Sequence, residues 1–434
     1  MINFLKQNIL IEKFLFINLP SFLTSLLPFF LITGSFLPDF VITVCGIIFI
    51  INLIKNSLYR YLFTKLSFLF FLLWVTFILS SLLSDNILNS LETSFFYIRF
   101  YIFALSTWFL LDKKPRLLLY LFYTFLFSFI ILVFDGYLQF FTKKNLFGWD
   151  IVGNRISSFF EKKLVLGSYL ARLFPVFFAI YIIIYKNKNK YLFILISLIF
   201  ILVDVLIFLS GERVSFFYLN ISAIFIILLS RQYKLFRTLI VSFSFLLIFL
   251  ITLFQNQYSQ RIFNQTLKQL NLSTKNSTNV SNNKIHLFSI EHENHFRSAW
   301  LMFKENKFLG IGPRQFRENC NIPKFVISFE SCSTHPHNTY VQLLAETGII
   351  GFIQFSIFFI IFIYFSIKHF FLKFFKKKYL MTDFQIIILS AILLTLWPFT
   401  PTGNFFNNWL NVIYYLPLGI LLWSINLKKT IKFK

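Results

Sequence analysis

Four consecutive residues in this chain, His335-Pro336-His337-Asn338, combine reactive side chains with a defined place in the backbone. An imidazole, whose ordinary pKa lies near neutrality, can accept a proton from an attacking hydroxyl. Pro336 suits a chain that arrives extended and then turns into a helix. His337 and the first free N–H groups of that helix would then face outward, as a ready anion site. A second group is Ser210-Gly211-Glu212-Arg213, which places Arg213 at the start of an apolar run and so at a water–lipid boundary. A third is Arg297, in a stretch with helical periodicity. Guanidinium groups match phosphate oxygens in pairs. The chemistry these types suggest is proton removal from a nucleophile beside a bound phosphate or diphosphate. Arg172, near the outer end of its span, could reach an external cavity and is a secondary candidate, and His335 and Asn338 flank the same site.

The elements that must position these residues are membrane helices. Of the 434 residues, 57% are hydrophobic and 13% charged, against roughly 45–50% and about 25% in an average soluble domain. Apolar runs long enough to cross about 30 Å of hydrocarbon fall at 14–33, 38–54, 64–83, 90–111, 116–141, 165–185, 191–209, 213–230, 235–255, 338–367, 382–399 and 408–427. The fold class expected is therefore all-α integral membrane with about 12 transmembrane helices. Its organisation is 1–255 (nine spans), 256–337 (a large loop with an amphipathic helix) and 338–434 (three spans). No cleavable signal peptide is expected, since the first span is followed at once by another. Arg99, Asp135, Arg172, Asp204 and Glu346 lie within spans, where ionisable groups face the bundle interior. Asp204 and Glu346 read as internal pairing that orients helices.

The net charge of +24 could point to nucleic acid, but its distribution points to topology. With the N-terminus inside, every second loop is basic. Examples are Lys55, Arg60 and Lys65, then Lys113, Lys114 and Arg116, then Arg231, Lys234 and Arg237, and then Lys373 with Lys376 to Lys378. These loops hold more than half of the 41 Lys and Arg, which places both termini in the cytoplasm and removes the need for a nucleic-acid partner. Two loops on the other side are also basic, 142–164 and 256–337, and an anionic substrate at the outer surface would account for them.

Within the large loop, 271–284 is polar and poor in apolar residues. Its neighbourhood carries Asn-x-Ser/Thr at Asn264, Asn271 and Asn276, which are cheap matches in such a stretch. Residues 291–307 form an amphipathic helix with Phe296, Trp300 and Phe303 on one side, suited to a membrane surface. Cys45 is a small buried residue within a span. Cys320 and Cys332 would meet in an oxidising compartment as a staple on the segment leading to His337. Neither zinc-type Cys/His spacing nor an Asp-rich metal motif is present.

The run His337-Asn338, nine residues, Gly348, two residues, Gly351 resembles the signature of the O-antigen ligase family. SGER at 210–213, Arg297 followed by Trp300, FLGIGPRQF at 308–316 and RISSFFEKKLVLGSYLARLFP at 155–175 are similar to that family's pattern in the same order. The resemblance covers roughly 150–350 in detail. It is specific for a superfamily that also holds O-antigen polymerases and protein O-oligosaccharyltransferases. It implies a membrane-glycosyltransferase (GT-C-like) architecture in the bacterial inner membrane, with the active site periplasmic. The donor would be a glycan on undecaprenyl diphosphate, and the acceptor lipid A–core in a ligase. His337 would be the base or the group that positions the acceptor, Arg213 and Arg297 would hold the diphosphate without a metal or other cofactor, and Arg155 and Arg314 would be further phosphate contacts. Polymerisation is the principal alternative. A transporter, which would predict internal repeats and broken midplane helices, is a more distant one.

Overall fold

Lipid offers no partner for backbone N–H and C=O groups, so each apolar run closes its own hydrogen bonds as helix. The computed structural model describes residues 12–153, 155–185, 189–232, 234–254, 288–329 and 331–427. The 271–284 stretch and its Asn-x-Ser/Thr matches lie outside the described residues. A π-helical turn, Phe14–Asn18, leads into α1 (Leu19–Thr33). It is followed by α2 (Phe36–Lys55), α3 (Lys65–Leu82), α4 (Ile87–Lys113), α5 (Leu117–Thr142) and α6 (Leu166–Tyr185). Next come α7 (Lys190–Ser210), α8 (Arg213–Leu229) and α9 (Lys234–Phe254). The loop region contributes α10 (Ile290–Glu305) and the short α11 (Phe316–Asn319), and the chain closes with α12 (Thr339–Lys376), α13 (Asp383–Thr395) and α14 (Asn408–Ile425).

Ten of the described helices are long and apolar enough to cross a membrane, with α8 and α13 shorter. The protein is an all-α integral membrane protein. Phe71, Phe134 and Phe249 stay exposed within their helices, as befits a bundle whose outer solvent is lipid. Buried polar groups tie the helices internally. Asp204 on α7 accepts from Asn220 on α8 and from Ser244 on α9, in agreement with the internal pairing expected of it. Asp135 accepts from the backbone of Leu146 and from Ser158, and Arg99 pairs with Asp39 at 2.8 Å.

Two expectations about the last spans need correction. The run at 382–399 is helical only as far as Thr395, about 20 Å at 1.5 Å per residue. Pro398 and Pro401 then hold 396–407 in irregular backbone. The span expected at 338–367 is not one continuous helix, because it breaks at Gly348. Gly348 has φ 66° and ψ −168°, dividing α12 into two helical pieces.

What fills the break is the loop before α11. Ile311 N donates to Ala345 O (3.0 Å) and Gly312 N to Glu346 O (2.9 Å), which satisfies carbonyls ending the first piece. Ile349 N donates to Lys307 O (2.8 Å) and Ile350 N to Phe308 O (3.3 Å), which satisfies amides opening the second. A Cβ on Gly348 would collide with the Phe308 carbonyl, and one on Gly310 with the backbone of Glu346. The LGIGP run and the GxxG pair therefore form one backbone-to-backbone clasp. Glu346 completes it, accepting from Phe316 N (3.0 Å) and Gln342 Nε2 (2.9 Å).

Candidate active site

Antiparallel succession brings the first turns of α2, α4, α6, α8, α12 and α14 to one end of the bundle, where α10 packs against α12. His337 lies at that end. Its backbone is left-handed, at φ 56°, a conformation that costs a non-glycine residue about 1–2 kcal/mol. The surroundings enforce it. Thr402 N donates to His337 O at 2.8 Å, and Asn338 immediately caps α12. Asn338 Oδ1 accepts from Tyr340 N (2.9 Å) and Val341 N (3.1 Å), while its Nδ2 donates to Pro398 O (2.8 Å) and Thr400 O (3.2 Å). The helix N–H groups expected to hold an anion are thus taken by Asn338. This buried side chain spends both its ends on structure and none on substrate.

The imidazole of His337 belongs to a cluster of four. Its ring centroid lies 4.1 Å from His335, 5.0 Å from His292 and 5.3 Å from His295. His335 is a support rather than a ligand group, because its Nδ1 meets Thr334 Oγ1 (2.9 Å) and its Nε2 meets Thr402 O (3.2 Å). Burial, and then the neighbouring rings, pull His337 down to about 3. Burial takes His335 down to about 4 against its bond to Thr402. Burial, His295 and Arg213 lower His292. The near-neutral pKa expected of His337 is therefore not its value in the free protein. The ring is neutral and can accept a proton only weakly until a negative charge arrives. Among the described residues, no three His, Cys, Asp or Glu side chains are arranged to hold a metal ion.

Arg213 opens α8 and acts electrostatically on His292 of the cluster. Its place is fixed by the preceding Glu212, whose buried carboxylate accepts from Gly167 N (2.8 Å), Ser168 N (3.0 Å) and Ser215 Oγ (3.0 Å). The residue just before α8 thus caps the start of α6 with its carboxylate. Arg155 joins the same group through Nε to Ser210 O (3.2 Å). Arg172 does not reach an open cavity. It is 4% exposed, donates to Ser168 Oγ and lies over the rings of Tyr218 (4.6 Å) and Tyr414 (5.4 Å). Tyr218 in turn bonds Thr400 at 2.6 Å, so Arg172 supports the loop beneath Asn338.

Arg297 is not gathered with His337. It is exposed, about 160° around α10 from His295, on the side of Trp300, which is 48% exposed. The helix at 291–307 forms where expected, but it buries His295, Ser298, Ala299 and Met302 and turns its aromatic stripe outward. Sequence reasoning missed His292 and His295, whose i,i+3 spacing puts both on one helix face. It also missed the 396–407 loop, signalled only by two prolines and a glycine in an apolar run. Arg314 stands apart, in left-handed backbone at φ 65°, on the segment after the clasp. Cys320 and Cys332 are bonded, with Cα atoms 4.9 Å apart, and staple the segment between α11 and His335.

No curated protein matches the chain. Residues 197–356 match the family model described as O-antigen ligase. That span runs from within α7, through Arg213 and the histidines of α10, to just past the Gly348–Gly351 clasp, so it holds the four histidines, Arg213 and the break in α12, while Arg155 and the 396–407 loop lie outside it. The segment that carries His337 and Arg213 is thus similar to the O-antigen ligase family.

Proposed function

We propose that this protein moves a glycan from undecaprenyl diphosphate to a hydroxyl of lipid A–core, without a metal, on the periplasmic side of the inner membrane. The observation that carries the reading is His337, a neutral imidazole fixed at a helix entrance by its own backbone, with Arg213 acting on the same ring cluster. The acceptor oxygen bonds to the anomeric carbon as the bond from that carbon to the diphosphate oxygen breaks. The hydroxyl proton passes to His337, and the lipid diphosphate departs with its growing charge offset by Arg213, Arg155 lying behind it. Bound diphosphate opposes the terms that depress His337 and so raises its basicity when it is needed. Arg297, exposed beside Trp300 on α10, is left to the approach of the anionic carrier lipid and not to the reacting centre.

The opposite end of the bundle carries Lys55, Lys114, Arg231 and Lys373, which supports a cytoplasmic location for that end and a periplasmic one for the site. Protein in nanodiscs, given carrier-linked glycan and lipid A–core, should yield glycan joined to the core. A longer glycan still on the carrier would make the protein a polymerase and sink the ligase reading.

A further inference from the structure

A polar cavity of about 490 Å³ lies at the same end of the bundle, outside the histidine cluster. Its charged lining is Arg314 and Arg317 together with Arg99, Asp39 and Glu92. The indole of Trp409 and the amides of Asn404 and Asn408 also line it. Volumes of this order hold small-molecule ligands. Its charge is unbalanced. Three arginines line it against two carboxylates; Arg99 pairs with Asp39 at 2.8 Å, and the Nε atoms of both Arg99 and Arg317 are buried with no hydrogen-bond partner among the described residues. Arg314 holds a left-handed backbone, φ 65°, that a glycine would take without strain.

The cavity is linked to the histidine cluster by two routes. Arg317 lines it and also acts electrostatically on His335. Asn404 lines it and accepts from Gln342 at 3.0 Å, two residues beyond Thr402, whose amide holds the His337 carbonyl. These contacts tie the cavity to the cluster, and a saccharide is the ligand that the transfer reaction would bring to this end of the bundle. The lining suits such a ligand: amides for hydroxyls, an aromatic face for a ring, and paired guanidinium groups for an anion.

We propose that this cavity is a binding site for an anionic saccharide, a sugar bearing phosphate or carboxylate, held by Arg314 and Arg317. In its catalytic role it rests on the transfer reaction proposed above, with the anionic sugar belonging either to the acceptor or to the donor glycan.

The test uses the full chain in nanodiscs, with glucose 6-phosphate and glucose as probes and tryptophan fluorescence as readout. Glucose 6-phosphate should bind roughly tenfold or more tightly than glucose, with the signal lost in Trp409→Phe. Arg314→Gln/Arg317→Gln should erase the preference, and Arg314→Lys/Arg317→Lys should restore part of it. Equal binding of the two sugars, or a preference that survives the double Gln variant, overturns the proposal. In transfer assays the double Gln variant should raise KM with little change in kcat. The rise should be for the acceptor if removing the acceptor's phosphates abolishes the effect, and for the donor if a neutral donor glycan does so. A KM rise that is the same for charged and neutral substrates overturns the site. Intact probe preference in a protein that transfers nothing would support the site and count against the transfer reaction.

Discussion

At the scale of single residues, the site turns on how burial and neighbours set one imidazole. His337, His335 and His292 all resist protonation, through burial and through one another. Their depressed pKa values mean that the stability they contribute is complete above about pH 6.5, the unfolded value, and drains away as pH falls toward 4. Activity should follow a different curve. A base titrating near neutrality would cut kcat/KM about tenfold between pH 7.5 and 5.5. With His337 depressed to about 3, kcat/KM should stay flat over that range, and an inflection near 6.5 would contradict the electrostatics of the cluster. His337 itself was legible from its place beside Pro336 and Asn338. Its partners were not, because His292 and His295 are brought in by the packing of α10 on α12, and nothing local to 291–307 announces that choice. Arg297 was misplaced for the same reason, since the periodicity of Phe296, Trp300 and Phe303 marks a face without saying whether protein or lipid covers it.

At the scale of elements, the clasp between 307–312 and the break in α12 sets where His337 and the 314–317 segment sit. It is made from backbone, which explains why glycine is required. Gly348→Ala meets both a left-handed backbone and the Phe308 carbonyl, and should cost about 2–4 kcal/mol. Gly148→Ala, at φ 80° with nothing within 4 Å of its Cβ, should cost only the strain. Thermal unfolding in detergent checks this, and equal losses at the two positions would mean that the clasp does not constrain α12. The twelve apolar runs were legible to within a few residues at most boundaries, because membrane solvation acts on composition alone. The break at Gly348 was not, because apolarity continues through it. The early end of α13 at Thr395 was masked in the same way by Leu396, Trp397 and Phe399.

At the scale of the whole molecule, one end of the bundle gathers the histidines, the SGER turn and the polar cavity, and the other gathers basic loops. That polarity was legible from the positions of Lys and Arg, whereas the joining of Arg155, Glu212 and α6 into one group depends on helix packing that charge counting does not see. The orientation proposed from it has a direct consequence. A cysteine placed at Lys307 should react with a membrane-impermeant maleimide on intact spheroplasts, and one at Lys377 only after permeabilisation; the reverse pattern would invert the molecule.

The central claim, that His337 takes the acceptor's proton while Arg213 offsets the leaving diphosphate, is tested most directly by single-turnover transfer from the carrier-linked glycan. His337→Ala and Arg213→Ala, each shown to elute as the wild type does, should slow product formation by roughly 10²-fold or more, with carrier-linked donor still bound. Wild-type transfer rates in a folded His337→Ala protein would contradict it.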